Sequence, residues 1–187
     1  PADAGQSLHL AIEQSIRGVL PSIVAIRHHL HRHPELSNRE FETAALVARH
    51  LRELDIEVQE HIAHTGVLGV LRGALPGPVV AIRADMDALP ITEETDLPFR
   101  STARAVVDGQ EVGVMHACGH DMHTAIALGV ASALAPLRDR LAGTILFVFQ
   151  PCEEGAPPGE QGGAWLMLNE GVFDSWRPSA ILGLHTD

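Results

Sequence analysis

The sequence predicts an α/β fold, a mixed, largely parallel sheet flanked by helices. Early in the chain, apolar residues recur at three- and four-residue steps, the period of an amphipathic helix. After Asp55 the texture changes to short β-rich runs. Later, two short apolar runs enclose a helical stretch, the strand, helix, strand order of a parallel pairing.

The first helix is expected over residues 7–33, with Leu8, Ile12, Ile16, Val19, Leu20, Ile23, Ile26 and Leu30 recurring at three- and four-residue steps. Pro21 has no amide to donate, so a kink or division is expected there. A second helix is expected over 38–54, burying Phe41, Ala45, Leu46 and Leu51. Runs 56–59, 67–71 and 79–83 read as strands, and Leu75-Pro76-Gly77-Pro78 predicts an antiparallel hairpin between the last two. Residues 89–113, broken by Pro90, Pro98 and Gly109, read as loop. A helix over 124–137 carries Ala125, Ala127, Gly129 and Ala131, small residues suited to close packing on a sheet. Buried strands are expected at 144–149 and 180–184, enclosing a helix at 163–170.

The 187 residues, 45% hydrophobic and without internal repeats, suit one core: a single domain or a large piece of one. The formal charge is -11, and the 13 basic residues, all Arg, form no block, which argues against nucleic acid and anionic membrane as partners. No apolar run approaches the roughly 20 residues that span a bilayer. Residues 1–10 lack a basic region followed by an apolar one, so a soluble, cytoplasmic chain is expected. Cys118 and Cys152 sit among acids and histidines, which favours a thiolate ligand in a reducing compartment over a disulfide.

The densest chemistry is Met115-His116-Ala117-Cys118-Gly119-His120-Asp121-Met122-His123. Soft and borderline ligands at this density point to a transition metal. On a helix Cys118 and His120 would lie about 200° apart, so they share an ion only from a turn, which Gly119 permits. Three predicted strands end in further ligand types: 79–83 in Asp85 and Asp87, 144–149 in Glu153 and Glu154, and 180–184 in His185. In open α/β sheets the functional crevice lies beyond the carboxyl ends of the strands, so these residues are expected to converge. The donor mixture suits Zn²⁺ and also Mn²⁺, Co²⁺ or Ni²⁺. In an extended segment Glu153 and Glu154 point opposite ways, so one can bind metal while the other moves a proton, as metal-assisted hydrolysis requires. Asp87 is placed to orient an imidazole ligand from behind.

Plainer readings stand beside these. A Glu-Glu pair is most often solvated surface, and Asp85 and Asp87 could cap a loop. His28, His29, His31 and His33 read as the polar end of the first helix rather than as a second metal cluster. His116 is a ligand, a substrate contact or a hydrogen-bonding group behind the ligands; His123 suits packing; Asp121 suits an N-cap. Cys118 as a nucleophile, with His120 or His116 as base, is the rival chemistry and predicts activity that survives chelators.

Several segments then occur in one order: His31-x-x-Pro34-Glu35-Leu36, Arg83-Ala84-Asp85-Met86-Asp87-Ala88-Leu89-Pro90, Met115 through Asp121, Gln150-Pro151-x-Glu153-Glu154-Gly155 and Gly183-Leu184-His185. Together they resemble the amidohydrolase branch of the aminoacylase/carboxypeptidase metallohydrolases, which includes hippurate hydrolases, N-acyl-amino-acid amidohydrolases and indoleacetyl-amino-acid hydrolases. The resemblance covers essentially the whole chain. It implies a dinuclear zinc-peptidase-like fold acting on N-acyl amino acids or related small amides. In that pattern Cys118, His120, Glu154 and His185 are metal ligands for two divalent ions, Zn²⁺ or Mn²⁺ first and Co²⁺ or Ni²⁺ next. Glu153 is the general base and Asp87 the carboxylate behind the metal site.

The departures are Asp85, where related peptidases have a histidine ligand, Cys152, where the branch has a small residue, and a longer loop over 155–163. Family members are also about twice as long, inserting a lid and dimerisation domain after the segment matching His185 and then supplying one more histidine. Residues 1–187 are therefore expected to be the N-terminal part of the catalytic domain, with the lid and C-terminal part absent and activity weak or lost. The alternative is a non-catalytic metal-binding or assembly module derived from that family. An incomplete sheet would expose an apolar edge, which makes homo-oligomerisation an expected consequence.

Overall fold

The computed structural model describes residues 2–186. Helix α1 (Ala2–Arg32) runs unbroken through Pro21. Pro21 is exposed, so the carbonyl it leaves unbonded can turn to water and division is not required. Helix α2 (Phe41–Glu53) buries Thr43, Val47, Ala48 and Leu51, whereas Phe41 is 60% exposed and Ala45 also faces solvent. The expected face is thus corrected at its start. The Glu35 carboxylate accepts the backbone N–H groups of Glu42 and Thr43, at 3.1 and 2.8 Å, and fixes how the first turn enters.

The strands are β1 (Glu57–Ile62), β2 (Gly66–Arg72), β3 (Leu75–Asp85), β4 (Arg104–Val107), β5 (Gln110–Gly113), β6 (Ala142–Gln150) and β7 (Ala180–Gly183). Helix α3 (His120–Leu134) precedes β6, and α4 (Gly163–Asn169) lies between β6 and β7. Five strands form one sheet in the order β1-β2-β6-β3-β7. The pairs β1/β2 and β2/β6 are antiparallel, whereas β3/β6 and β3/β7 are parallel, so the mixed sheet has a parallel half.

The hairpin expected between β2 and β3 does not form, because β6 lies between them. Pro76-Gly77-Pro78 belongs to β3, where the register shifts between Leu75 and Val79. Such an irregularity is where a strand tolerates residues without a ladder donor. The antiparallel hairpin is instead β1/β2. A second hairpin, β4/β5, occupies the region read as loop. Its Asp108 and Gly109 both have positive φ, 51° and 77°, as a two-residue hairpin turn of the primed type requires.

Burial follows the pleat. Phe147 and Phe149 join Val47, Leu51, Leu71 and Leu128 under α1 to α3, while Leu146 and Val148 join Leu68, Ala81 and Met167 on the α4 side. Helix α3 packs on α1 as well as on the sheet: a Cβ added at Gly129 would lie 3.4 Å from Ile23. The strand expected to be buried at 180–184 is corrected: β7 is at the sheet edge, paired on one side only, and all four of its residues are exposed. No helix among the described residues is long and apolar enough to cross a membrane.

Candidate metal centre

The centre lies at the carboxyl ends of the parallel strands, against the N-terminus of α3. Gly119 precedes that helix with φ 75°, and a Cβ there would collide with Thr186 Oγ1, so glycine is required for both conformation and space. The turn brings the donor atoms of Cys118 and His120 within 4.8 Å of each other. Cys118 Sγ, an atom of His120 and a Glu154 carboxylate oxygen all lie within 4.8 Å of one another. His185 Nε2 is 3.4 Å from Cys118 Sγ. His120 Nε2 is 3.7 Å from both Glu153 Oε2 and Glu154 Oε1. Asp87 stands behind: its main-chain oxygen is 2.8 Å from His120 Nδ1 and its Oδ1 is 3.2 Å away. All six residues singled out from the sequence therefore meet at one place.

The hydrogen bonds define the electrostatics. With Nδ1–H donated to Asp87, His120 presents Nε2 to the cluster. Burial works against charge on Asp87. Bonds from His120, the Ser37 hydroxyl and the Glu154 and Glu153 N–H groups nevertheless hold it below the usual carboxylate range. Burial also opposes charge on His120, but Asp87, Asp85 and Glu154 outweigh it and raise its pKa. Burial and then the adjacent Glu154 push the Cys118 thiol up to about 11, the reverse of what a cysteine nucleophile needs. A cation among the same carboxylates would oppose that shift.

A cation is what the residues fit. Buried His120 Nε2, His123 Nε2 and Glu154 Oε1 have no hydrogen-bond partner among the described residues. Each such atom costs about 1–3 kcal/mol unless something satisfies it. Three of them, in two donor groups that share His120 and of which one includes the Cys118 thiol, suit a borderline divalent metal.

A second donor group, Asp85, His120 and His123, overlaps the first at His120. Asp85 Oδ1 is 2.6 Å from His123 Nδ1, and Asp85 Oδ2 pairs with Arg83 at 2.6 Å. His123 is therefore a buried hydrogen-bonding partner rather than simple packing, and Asp85 caps no loop. The signal was its place one turn beyond His120, on the same helical face. Asp121 is not the N-cap, a position held by Gly119. It is buried in the first turn, where Oδ2 lies 2.8 Å from both His31 Nδ1 and Arg27 Nε. His31 also reaches Glu93 at 3.1 Å, so this part of the expected polar helix end is buried and bridges two carboxylates. His116 is buried with neither ring nitrogen bonded, and burial lowers its pKa to about 4; it enters neither donor group.

Two supporting residues escaped sequence reasoning. Ser37 donates to Asp87 Oδ2 at 2.7 Å. Glu40, fully buried, accepts the Cys152 N–H at 2.8 Å and the Thr65 hydroxyl at 2.6 Å, steadying the chain just before Glu153. Cys118 and Cys152 are both free. Two cavities flank the glutamate pair, one of about 610 Å³ lined in part by Glu153 and one of about 470 Å³ lined in part by Glu154.

Comparison with known proteins agrees with this geometry. The model of peptidase family M20/M25/M40 matches residues 81–187. The chain is 43% identical to thermostable carboxypeptidase 1 of Saccharolobus solfataricus, over 93% of this chain and 41% of that protein. It is 42% identical to N-acetyl-L-cysteine deacetylase of Bacillus subtilis, over 87% of this chain and 36% of that enzyme. Among solved structures, a dinuclear metal-binding M20 peptidase of Bacillus subtilis superposes with a TM-score of 0.78 and 43% identity, covering 91% of this chain and 44% of that one. The chain spans about two-fifths of the length of the curated relatives it matches.

Proposed function

This chain belongs to peptidase family M20/M25/M40, and from that premise we propose that it carries the core of a metal-dependent amidohydrolase site for N-acyl amino acids or related small amides. Cys118, His120, Glu154 and His185 are the ligands, two ions are held in the complete enzyme, and Zn²⁺ or Mn²⁺ suits them first, with Co²⁺ or Ni²⁺ next. The observation that carries this reading is the meeting of a thiol with the buried, partnerless atoms His120 Nε2 and Glu154 Oε1. When bound, the metal supplies Lewis acidity, polarising the amide carbonyl and lowering the pKa of water.

The protein's own groups do the rest. Glu153, with its side chain 39% exposed and its carboxylate 3.7 Å from His120 Nε2, takes the proton of the attacking water and returns it to the leaving amine. Asp87 touches no substrate; it fixes the tautomer and direction of His120. The 187 residues hold four donors, and by themselves they bind metal and hydrolyse weakly or not at all. A thiolate ligand suits a reducing compartment, and we place the protein in the cytoplasm.

The test is to titrate Zn²⁺ and Mn²⁺ into the chain, count retained metal, and assay N-acetyl and N-benzoyl amino acids with the chain extended to its relatives' length. Wild type and Glu153→Gln should retain equal metal, His120→Ala should lose it, and only a protein with Glu153 should hydrolyse. Failure to retain metal overturns the reading. Metal without hydrolysis in the extended protein favours the non-catalytic module.

A further inference from the structure

The segment that carries Glu153 leaves the sheet through a residue held against its own preference. Strand β6 ends at Gln150, Pro151 has no N–H to continue the ladder, and Cys152 follows with φ 55°. For a residue with a Cβ this left-handed region is costly, and no glycine stands there to accept it. Something must hold Cys152 in place.

The holding group is Glu40. Its Oε1 accepts the Cys152 N–H at 2.8 Å and its Oε2 accepts the Thr65 hydroxyl at 2.6 Å, so both oxygens of this fully buried carboxylate are committed. The next two N–H groups, of Glu153 and Glu154, go to Asp87, whose Oδ2 also accepts from Ser37 at 2.7 Å. Consecutive amides are thus divided between two buried carboxylates, and the short stretch from Ser37 to Glu40 serves both. Thr65 fixes Glu40 from the β1/β2 turn, where Ala63 and His64 also have positive φ, 49° and 78°. The same turn backs Pro151: a Cβ added at Gly66 would lie 3.1 Å from Pro151 Cδ.

Rotation about the N–Cα bond of Cys152 swings every later atom, including the Glu153 carboxylate that lies 3.7 Å from His120 Nε2. A base must stay within hydrogen-bond reach of the proton it takes, and a misplacement of about 1 Å costs on the order of a hundredfold in rate. We propose that Glu40 is a positioning residue for Glu153: its carboxylate holds Cys152 in the left-handed conformation that sets the base beside the metal ligands. The inference rests on the reading of Glu153 as the group that moves the proton.

Acetohydroxamate reads the place of the base without turnover, because it binds the ion and passes its hydroxyl proton to a carboxylate beside it. The Zn²⁺-loaded chain is titrated with it, and Zn²⁺ content and circular dichroism are followed in each variant. Glu153→Gln sets the scale, with affinity down about tenfold at unchanged Zn²⁺. Glu40→Leu removes both acceptors and should fall to a similar level. Glu40→Gln keeps an acceptor for the Cys152 N–H and a partner for the Thr65 hydroxyl, and should stay within about twofold of the wild type. In the Glu40→Leu background, Cys152→Gly adopts a positive φ unaided and should recover about fivefold, which a merely structural role for Glu40 would not produce. If Glu40→Leu does not fold, Thr65→Val decides: it frees Glu40 of its second bond and should lose about threefold. In a protein of the relatives' length, Glu40→Leu should lower kcat and leave KM unchanged. Wild-type affinity in the deciding variant, or a loss that Cys152→Gly does not relieve, overturns the positioning role. If the wild type takes up no Zn²⁺, or Glu153→Gln binds acetohydroxamate as the wild type does, the reading of Glu153 fails and this inference falls with it.

Discussion

Two histidine clusters differ in how their polar atoms are satisfied. At the end of α1, His31 is held between Asp121 and Glu93, His28 stacks on Phe99 with ring centroids 3.8 Å apart, and His29 lies against His33. At the start of α3, His120 and His123 each bond through Nδ1 and leave a buried Nε2 with no hydrogen-bond partner among the described residues. In the first cluster the buried member, His31, is closed by protein, and the second cluster is open toward something else. Richness in histidine therefore does not distinguish a ligand site from a structural one. A partnerless buried nitrogen grouped with other donor atoms does, since His116 is also partnerless but joins neither donor group.

The comparison can be broken most severely at the open cluster. In a protein of the relatives' length, Glu153→Gln should lower turnover of an N-acyl amino acid about 10²- to 10⁴-fold while metal content stays constant. Retained turnover would remove Glu153 from the proton-transfer role. At the closed cluster the expected loss is in stability. His31→Ala leaves Asp121 and Glu93 without their shared partner and should cost about 3 kcal/mol in urea unfolding, with Zn²⁺ stoichiometry unchanged. Loss of metal in that variant would show that the two clusters are one unit. Asp87→Asn removes the charge behind His120 and should weaken Zn²⁺ binding about 10- to 100-fold by chelator competition.

A smaller effect separates the clusters by pH. The Asp121 hydrogen bond raises the pKa of His31 above its ordinary 6.5. The stability it contributes is fully present below pH 6.5 and is lost as pH rises through the raised folded value. The unfolding midpoint should fall over that interval in the wild type, and this component should vanish in His31→Ala. Smallest of all, His29→Ala and His33→Ala, at exposed positions, should change stability by no more than about 0.5 kcal/mol and leave metal binding untouched. A metal deficit in either would contradict the closed character of that cluster.

How much of this was legible in the sequence depends on the range over which the cause acts. Glu153, Glu154 and His185 stood out because ligand types followed apolar runs, and Cys118 and His120 because donor types crowd around Gly119; both are local patterns. The β4/β5 hairpin was missed: Asp108-Gly109 after Val106-Val107 is a turn signal, but the breakers Pro90 and Pro98 made the whole region read as loop. Ser37 and Glu40 left no such trace. Ser37 meets Asp87 fifty residues later and Glu40 meets Cys152 a hundred and twelve residues later, distances at which no periodicity speaks. The β2/β3 hairpin failed for a related reason. A proline-glycine pair signals a turn locally, but strand order depends on which neighbour buries more surface, and β6 took the place between them.

The sequence by itself determined the elements and the donor types, because helix and strand periods and ligand chemistry are local properties of the residues. Only the tertiary structure decided which histidines are closed and which are open. That outcome depends on carboxylates brought from distant strands and loops, and on whether each buried nitrogen finds one.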